Sequence, residues 1–177
     1  MVKAIVVYES LWGNTEQVAR SIAAGLIRHL EVTVVEVAGA PETIPDDVAL
    51  TVVGGPTHAF SLSRPQTRHD AFKQGATQGG EAVGIREWLG RLHRTDHAGP
   101  VATFDTRVDK VRRLPGSAAK KAAKLAHHEG FAAAAEPESF YVSDTEGPLL
   151  AGELDRAHDW GARLGEDAER RSRTTSP

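Results

Sequence analysis

The stretch Tyr8-Glu9-Ser10-Leu11-Trp12-Gly13-Asn14-Thr15-Glu16 decides how this chain folds. It is preceded by a run of β-branched residues, Ile5, Val6 and Val7. It is followed at once by helical spacing in Val18, Ala19, Ile22, Ala23 and Leu26. A strand that feeds a helix through a short loop of hydroxyls and glycine aims bare backbone N–H groups and a positive helix end at one point. That arrangement binds a phosphate without any lysine or arginine.

Working outward, Lys3 to Tyr8 reads as a first strand, almost continuously apolar as in a strand covered on both faces. Gly13 to Leu30 carries a helix, Val32 to Val37 a second strand, and Val48 to Val53 a third that ends at Gly54-Gly55-Pro56. Thr57 to Glu81 is polar and weakly periodic. It predicts a long loop with a short helical turn around Gln66 to Phe72. Ile85 to Leu92 predicts a short helix, Pro100 to Asp105 a fourth strand, and Gly116 to His128 a helix rich in alanine and lysine. Phe131 to Val142 is strand-like but interrupted by Glu136-Pro137, which makes it an edge strand or a bulged one. Leu149 to Arg170 predicts the last helix, and Arg171 to Pro177 a disordered tail. Strands alternating with helices imply right-handed crossovers and a three-layer, doubly wound α/β fold. Its parallel sheet would have five strands, with one domain over residues 1–170, and the order 2-1-3-4-5, one of the common doubly wound orders, is the one expected. Ligands bind such sheets at the carboxyl ends of the strands, here at Ser10–Thr15, Pro56–Phe60 and Phe104–Arg107.

The 177 residues suffice for one full core, and 40% hydrophobic with 25% charged residues is ordinary for a globular protein. The net charge of −3 predicts no bulk attraction to nucleic acid or to an anionic membrane surface. No apolar run is long enough for a membrane span. Met1 leads directly into a strand, which gives no sign of a secretory leader. Absence of cysteine excludes disulfides and thiolate metal sites and fits a cytoplasmic protein. The histidines show no metal-type spacing: His127 and His128, adjacent on a helix, point about 100° apart.

Ser10-Leu11-Trp12-Gly13-Asn14-Thr15 resembles the phosphate loop of the flavodoxin-like family, [ST]-x-x-G-x-T. Gly55-Pro56-Thr57-His58 resembles that family's second flavin loop. Thr103-Phe104-Asp105-Thr106-Arg107 and Glu146-Gly147-Pro148-Leu149 look like a bacterial branch of flavodoxin-domain proteins. The resemblance extends to about Leu164 and implies non-covalent FMN. A dinucleotide fingerprint Gly-x-Gly-x-x-Gly is missing after the first strand. On this reading Ser10 and Thr15 hydroxyls and the N–H groups of Leu11 to Thr15 hold the phosphate, with Gly13 allowing close approach. Gly13-Asn14-Thr15 also reads as a plain turn with a helix cap.

The resemblance places Pro56, Thr57, His58, Ala59 and Phe60, together with Phe104, Asp105, Thr106 and Arg107, around the ring. Phe60 reads either as a stacking group or as a loop anchor, Trp12 either as a shield for the ring edge or as packing, and Phe104 mainly as core. Asp105-Thr106-Arg107-Val108 lacks the aromatic residue common there in flavodoxins, which leaves one ring face open. Arg64, Arg68, Arg107, Arg112 and Arg113 fall in or near the ring loops. They are expected either to solvate them or to form a rim for an anionic ligand, such as a nicotinamide dinucleotide phosphate or an acidic partner protein, and positive charge near the ring would raise the flavin potential. Three functions remain open. One is an electron carrier between redox partner proteins. Another is an FMN-dependent oxidoreductase with a nicotinamide donor, and the third a flavin-free binding module.

Overall fold

The computed structural model describes residues 2–175. Strands β1 (Lys3–Tyr8), β2 (Glu31–Glu36), β3 (Val48–His58), β5 (Val101–Val108) and β6 (Glu138–Val142) form a parallel sheet in the order β2-β1-β3-β5-β6. This is the expected order once the two-residue strand β4 (Ser61–Leu62) is set aside. β4 pairs antiparallel with the end of β3.

Helices α1 (Asn14–Leu26) and α5 (Glu153–Thr175) cover one face, over Val6, Leu50, Val52, Ala102, Phe104 and Phe140. Helices α3 (Ile85–Leu89) and α4 (Ala118–His128) cover the other, over Ile5, Val7, Val53 and Val101. Alternate residues of each strand therefore enter different cores, as pleating requires. α1 and α5 cross closely, with Gly25 set against the His158 carbonyl and Gly161 against the Ile22 carbonyl.

Several boundaries differ from the sequence reading. β3 and β5 run on to His58 and Val108, so the expected loops after them are partly strand. β6 begins only after Pro137. A single bridge from Ala133 to Val101 precedes it. α5 starts at Glu153 because Leu149 and Leu150 are held as extended chain against Val142 and Tyr141. The same helix continues through Thr175, where a disordered tail was expected. Arg170 pairs with Glu166 and Asp167, and the Ser172 hydroxyl donates to the Ala168 carbonyl. Ser176 and Pro177, the rest of that tail, lie outside the described residues.

The long polar segment after β3 is ordered. It contains α2 (Pro65–Lys73), close to the predicted helical turn. Its anchor is ionic. Arg68, fully buried, donates to Ser63 Oγ at 2.8 Å, to Glu87 Oε1 at 3.0 Å and to the Glu81 carbonyl at 2.8 Å. Ser63 donates in turn to the buried Glu9 carboxylate at the end of β1. Gly84 is required beside this cluster, since a Cβ there would lie 2.5 Å from Arg68 Nη1.

Candidate functional site

The carboxyl ends of β1, β3, β5 and β6 meet around a narrow cleft of about 60 Å³. It is lined by Leu11, Trp12, Asn14, Thr15, Pro56, Thr57, His58, Thr106, Arg107, Val108, Val142 and Thr145. The strand order makes the crevice, because the connections from β1 and β3 depart toward opposite faces of the sheet.

Leu11, Trp12, Asn14 and Thr15 form the cleft's α1 side, and Ser10 and Gly13 are buried behind them without lining it. Gly13 takes the left-handed conformation, φ 94°, which glycine adopts without a Cβ clash. The Gly13 N–H donates to Ser10 Oγ at 3.1 Å, and no side chain caps α1. The first-turn N–H groups of α1 therefore have no intrahelical acceptor and no side-chain cap, while Gly13, Asn14 and Thr15 are buried and the Gln78 amide lies over Gly13. Thr15 Oγ1 lies 2.7 Å from Thr106 Oγ1, joining α1 to β5 across the cleft floor. Asn14 Nδ2 donates to the Glu146 carbonyl at 3.0 Å. That bond draws in the turn after β6, whose Thr145 lines the cleft. The segment after α2 lies against the loop from outside, where the N–H groups of Thr77 and Gln78 donate to the Leu11 carbonyl.

Two buried donors of cleft-lining residues, Trp12 Nε1 and Arg107 Nε, have no hydrogen-bond partner. A buried donor left alone costs about 1–3 kcal/mol, so both suit a ligand rich in acceptors. Trp12 also packs against Leu11, Ala71 and Ala76, the packing position that the sequence offered. The Arg107 Nη2 group donates to the Val111 and Leu114 carbonyls, which fixes the guanidinium at the cleft wall. His58 Nδ1 pairs with Thr67 Oγ1 at 3.0 Å. Burial, with Arg68 nearby, pulls the imidazole below its ordinary range.

The structure moves four of the expected ring residues away from the cleft. Phe104 is fully buried on the α1/α5 side, edge-on to Phe140 and Trp160. Asp105, one pleat later, faces α4, where its carboxylate accepts the Ala119 N–H at 2.9 Å. Its Oδ1 has no partner, and burial pushes its carboxyl up. Ala59 and Phe60 form the two-residue tip between β3 and β4, and neither lines the cleft. Both are left-handed, φ 47° and 61°. This costs about 1–2 kcal/mol per residue without glycine. Arg68 is likewise withdrawn into the core.

Val108, Val142 and Thr145 line the cleft and were not anticipated. Val142 and Thr145 follow from the position of β6, whose end the sequence left outside the ligand-binding edge. Among the described residues no group of three His, Asp or Glu side chains is arranged for a metal, and no helix is long and apolar enough to cross a membrane.

Solved structures place this architecture. An archaeal flavodoxin superposes with a TM-score of 0.62 at 17% identity, over 94% of this chain and 99% of its own. Flavodoxin 2 from Bacillus cereus gives 0.60 at 17%, over 93% and 98%. Rubredoxin oxygen:oxidoreductase from Desulfovibrio gigas gives 0.63 at 13%, over 98% of this chain but only 37% of its own length. The chain thus has the flavodoxin-like fold. No family model matches it, and no curated protein sequence does.

Proposed function

We propose that the chain binds FMN in the cleft, with the phosphate at the Ser10–Thr15 loop, and transfers electrons between redox partners. The observation that carries this reading is the uncapped start of α1 behind a left-handed Gly13, beside the Ser10 and Thr15 hydroxyls. Those groups fit a phosphate dianion. The unpartnered Trp12 Nε1 and Arg107 Nε add donors beside it for ring or ribityl oxygens. The solved flavodoxins of the same fold support the choice of ligand.

Bound FMN supplies the redox chemistry, and the protein supplies binding and electrostatics. Gly13 keeps the backbone near the phosphate. Pro56, Thr57 and His58 wall the β3 side, and His58 stays neutral at pH 7 because its burial disfavours the cation. Arg107 places a fixed positive charge on the β5 wall.

A cleft of about 60 Å³ is small beside the roughly 300 Å³ at which small-molecule pockets begin. This dimension favours the second reading, a flavin-free module acting through protein contacts. Titration of the purified chain with FMN and with riboflavin separates the two. Quenched flavin fluorescence with tighter binding of FMN supports the cofactor reading. Unquenched fluorescence with both leaves the module.

A further inference from the structure

We propose that the Ala59–Phe60 tip and the lysine-bearing face of α4 form the docking surface for a redox partner protein that carries an acidic patch. This rests on the electron-transfer reading above.

Three observations converge on this face. The β3–β4 hairpin turns through two residues, both with positive φ and neither a glycine. Such turns ordinarily use Asn-Gly. Strain of this kind persists where surrounding structure enforces it, and it concentrates at functional contacts. Gly116 enforces it here, since its backbone meets the Phe60 carbonyl so closely that a Cβ would lie 2.6 Å from that oxygen. The strained turn leaves the Phe60 side chain in water, 45% exposed. Below it runs a groove of about 540 Å³ lined by Phe60, Ser117, Lys120, Lys121, Lys124 and Pro137, among others. Among the described residues the three lysine ammonium groups form no ion pair, and the single carboxylate in the groove, Glu136, is outnumbered.

The occupant follows from this chemistry. A small-molecule site needs several fixed polar groups that converge. Here the Ser117 hydroxyl is taken up by the Lys120 N–H and the Ser61 hydroxyl by Arg86, and the remaining side-chain donors are lysines on an outward helix face. An exposed aromatic ringed by unpaired like charges suits a protein contact, with the aromatic as anchor and the charges steering. The face is also joined to the cleft. Thr57 Oγ1, in the cleft wall, accepts the Ala118 N–H at the start of α4 at 2.9 Å. A partner seated on Phe60 stands one hairpin from the proposed cofactor.

The test uses the FMN-loaded full chain with two probes, an acidic plant-type [2Fe–2S] ferredoxin as one-electron donor and basic cytochrome c as acceptor. Stopped-flow rates are followed as salt rises. The expected result is a ferredoxin reaction that slows with salt and a cytochrome c reaction that does not. The triple variant Lys120→Glu, Lys121→Glu, Lys124→Glu is expected to slow the ferredoxin reaction at low salt by about tenfold or more, with FMN affinity unchanged. Replacing the tip by Ala59→Asn with Phe60→Gly is expected to raise the melting temperature while slowing the same reaction. Equal rates for parent and triple variant, or a ferredoxin rate indifferent to salt, overturn the proposal. If the chain takes up no FMN, the cofactor reading fails separately. Amide NMR shifts of the flavin-free chain with ferredoxin then decide the surface. Shifts confined to 59–61 and 117–124 sustain it, and shifts elsewhere or none overturn it.

Discussion

The Glu9 carboxylate accepts the backbone N–H of Ile85 at 2.8 Å, 76 positions further along the chain. Its other oxygen takes the Ser63 hydroxyl, and Ser63 takes Arg68. Glu9, which separates β1 from the Ser10–Thr15 loop, is thus tied to both ends of the 61–87 segment. Burial raises the Glu9 carboxyl despite the Ser63, Ile85 and Arg68 contacts that oppose it.

Glu9 and Asp105 together predict a pH dependence. Burial raises both carboxyls in the folded state. A raised carboxyl binds its proton more tightly when folded than when unfolded. Stability from these groups is therefore full below the ordinary range near 4 and is lost as pH rises through the raised folded values. We expect the melting temperature to fall from pH 5 to pH 8. Asp105→Asn, which removes the charge beside the unpartnered Oδ1, should flatten that fall and raise the pH 8 value by a few degrees. For a chain of this size about 1 kcal/mol corresponds to roughly 2–4 °C. A dependence identical in parent and variant would exclude Asp105 as its source.

Arg68→Met should destabilise the fold by about 3–5 kcal/mol, because it strands Glu87 and Ser63 without their shared cation. Arg68→Lys should recover only part of this, since one ammonium cannot reach the several acceptors a guanidinium spans. Urea unfolding measures both. A loss under 1 kcal/mol for the methionine variant would mean that the network is dispensable.

Gly13→Ala must hold an L residue at φ 94° with its Cβ 3.3 Å from Gln78 Nε2. Thr15→Val removes the hydroxyl that meets Thr106. We expect each to weaken FMN binding by about tenfold, equivalent to 1.4 kcal/mol, while riboflavin binding changes little. Calorimetric titration with both flavins gives the ratio. Equal losses for the two ligands would detach the loop from the phosphate.

Of the five arginines expected near the ring, only Arg107 lines the cleft. Arg107→Gln removes that positive charge and should lower the reduction potential of bound FMN, whereas Arg107→Lys should hold it near the parent value. Spectroelectrochemical titration reads the difference, and equal potentials in all three would rule out a role for this charge.

The sequence was most legible where signals are local. The β1–loop–α1 junction announced itself through β-branched residues, glycine and hydroxyls within nine positions, and the three-layer class followed from the alternation of strands and helices, whereas the strand order came with the flavodoxin-like resemblance. The 61–89 segment was obscure for a physical reason. It is packed through Arg68, Glu87, Ser63 and Glu9, and paired buried charges leave no apolar period to read. Phe60 and Phe104 were drawn to the ring by the resemblance, although Phe104 also read mainly as core, which is where it lies. The pleat of β5 assigns Phe104 to the α1 side, and the hairpin tip turns Phe60 toward α4. Neither direction is visible before the strand limits are known.

The buried Arg68 also fixes what can be cut from this protein. Trimming residues 61–84 to leave a shorter scaffold would leave Glu9 facing an apolar interior with its guanidinium and hydroxyl company gone. The excursion after β3 and the turn that begins at Glu9 are therefore inherited as a pair. A minimal derivative would have to exchange Glu9 for an apolar residue in the same step.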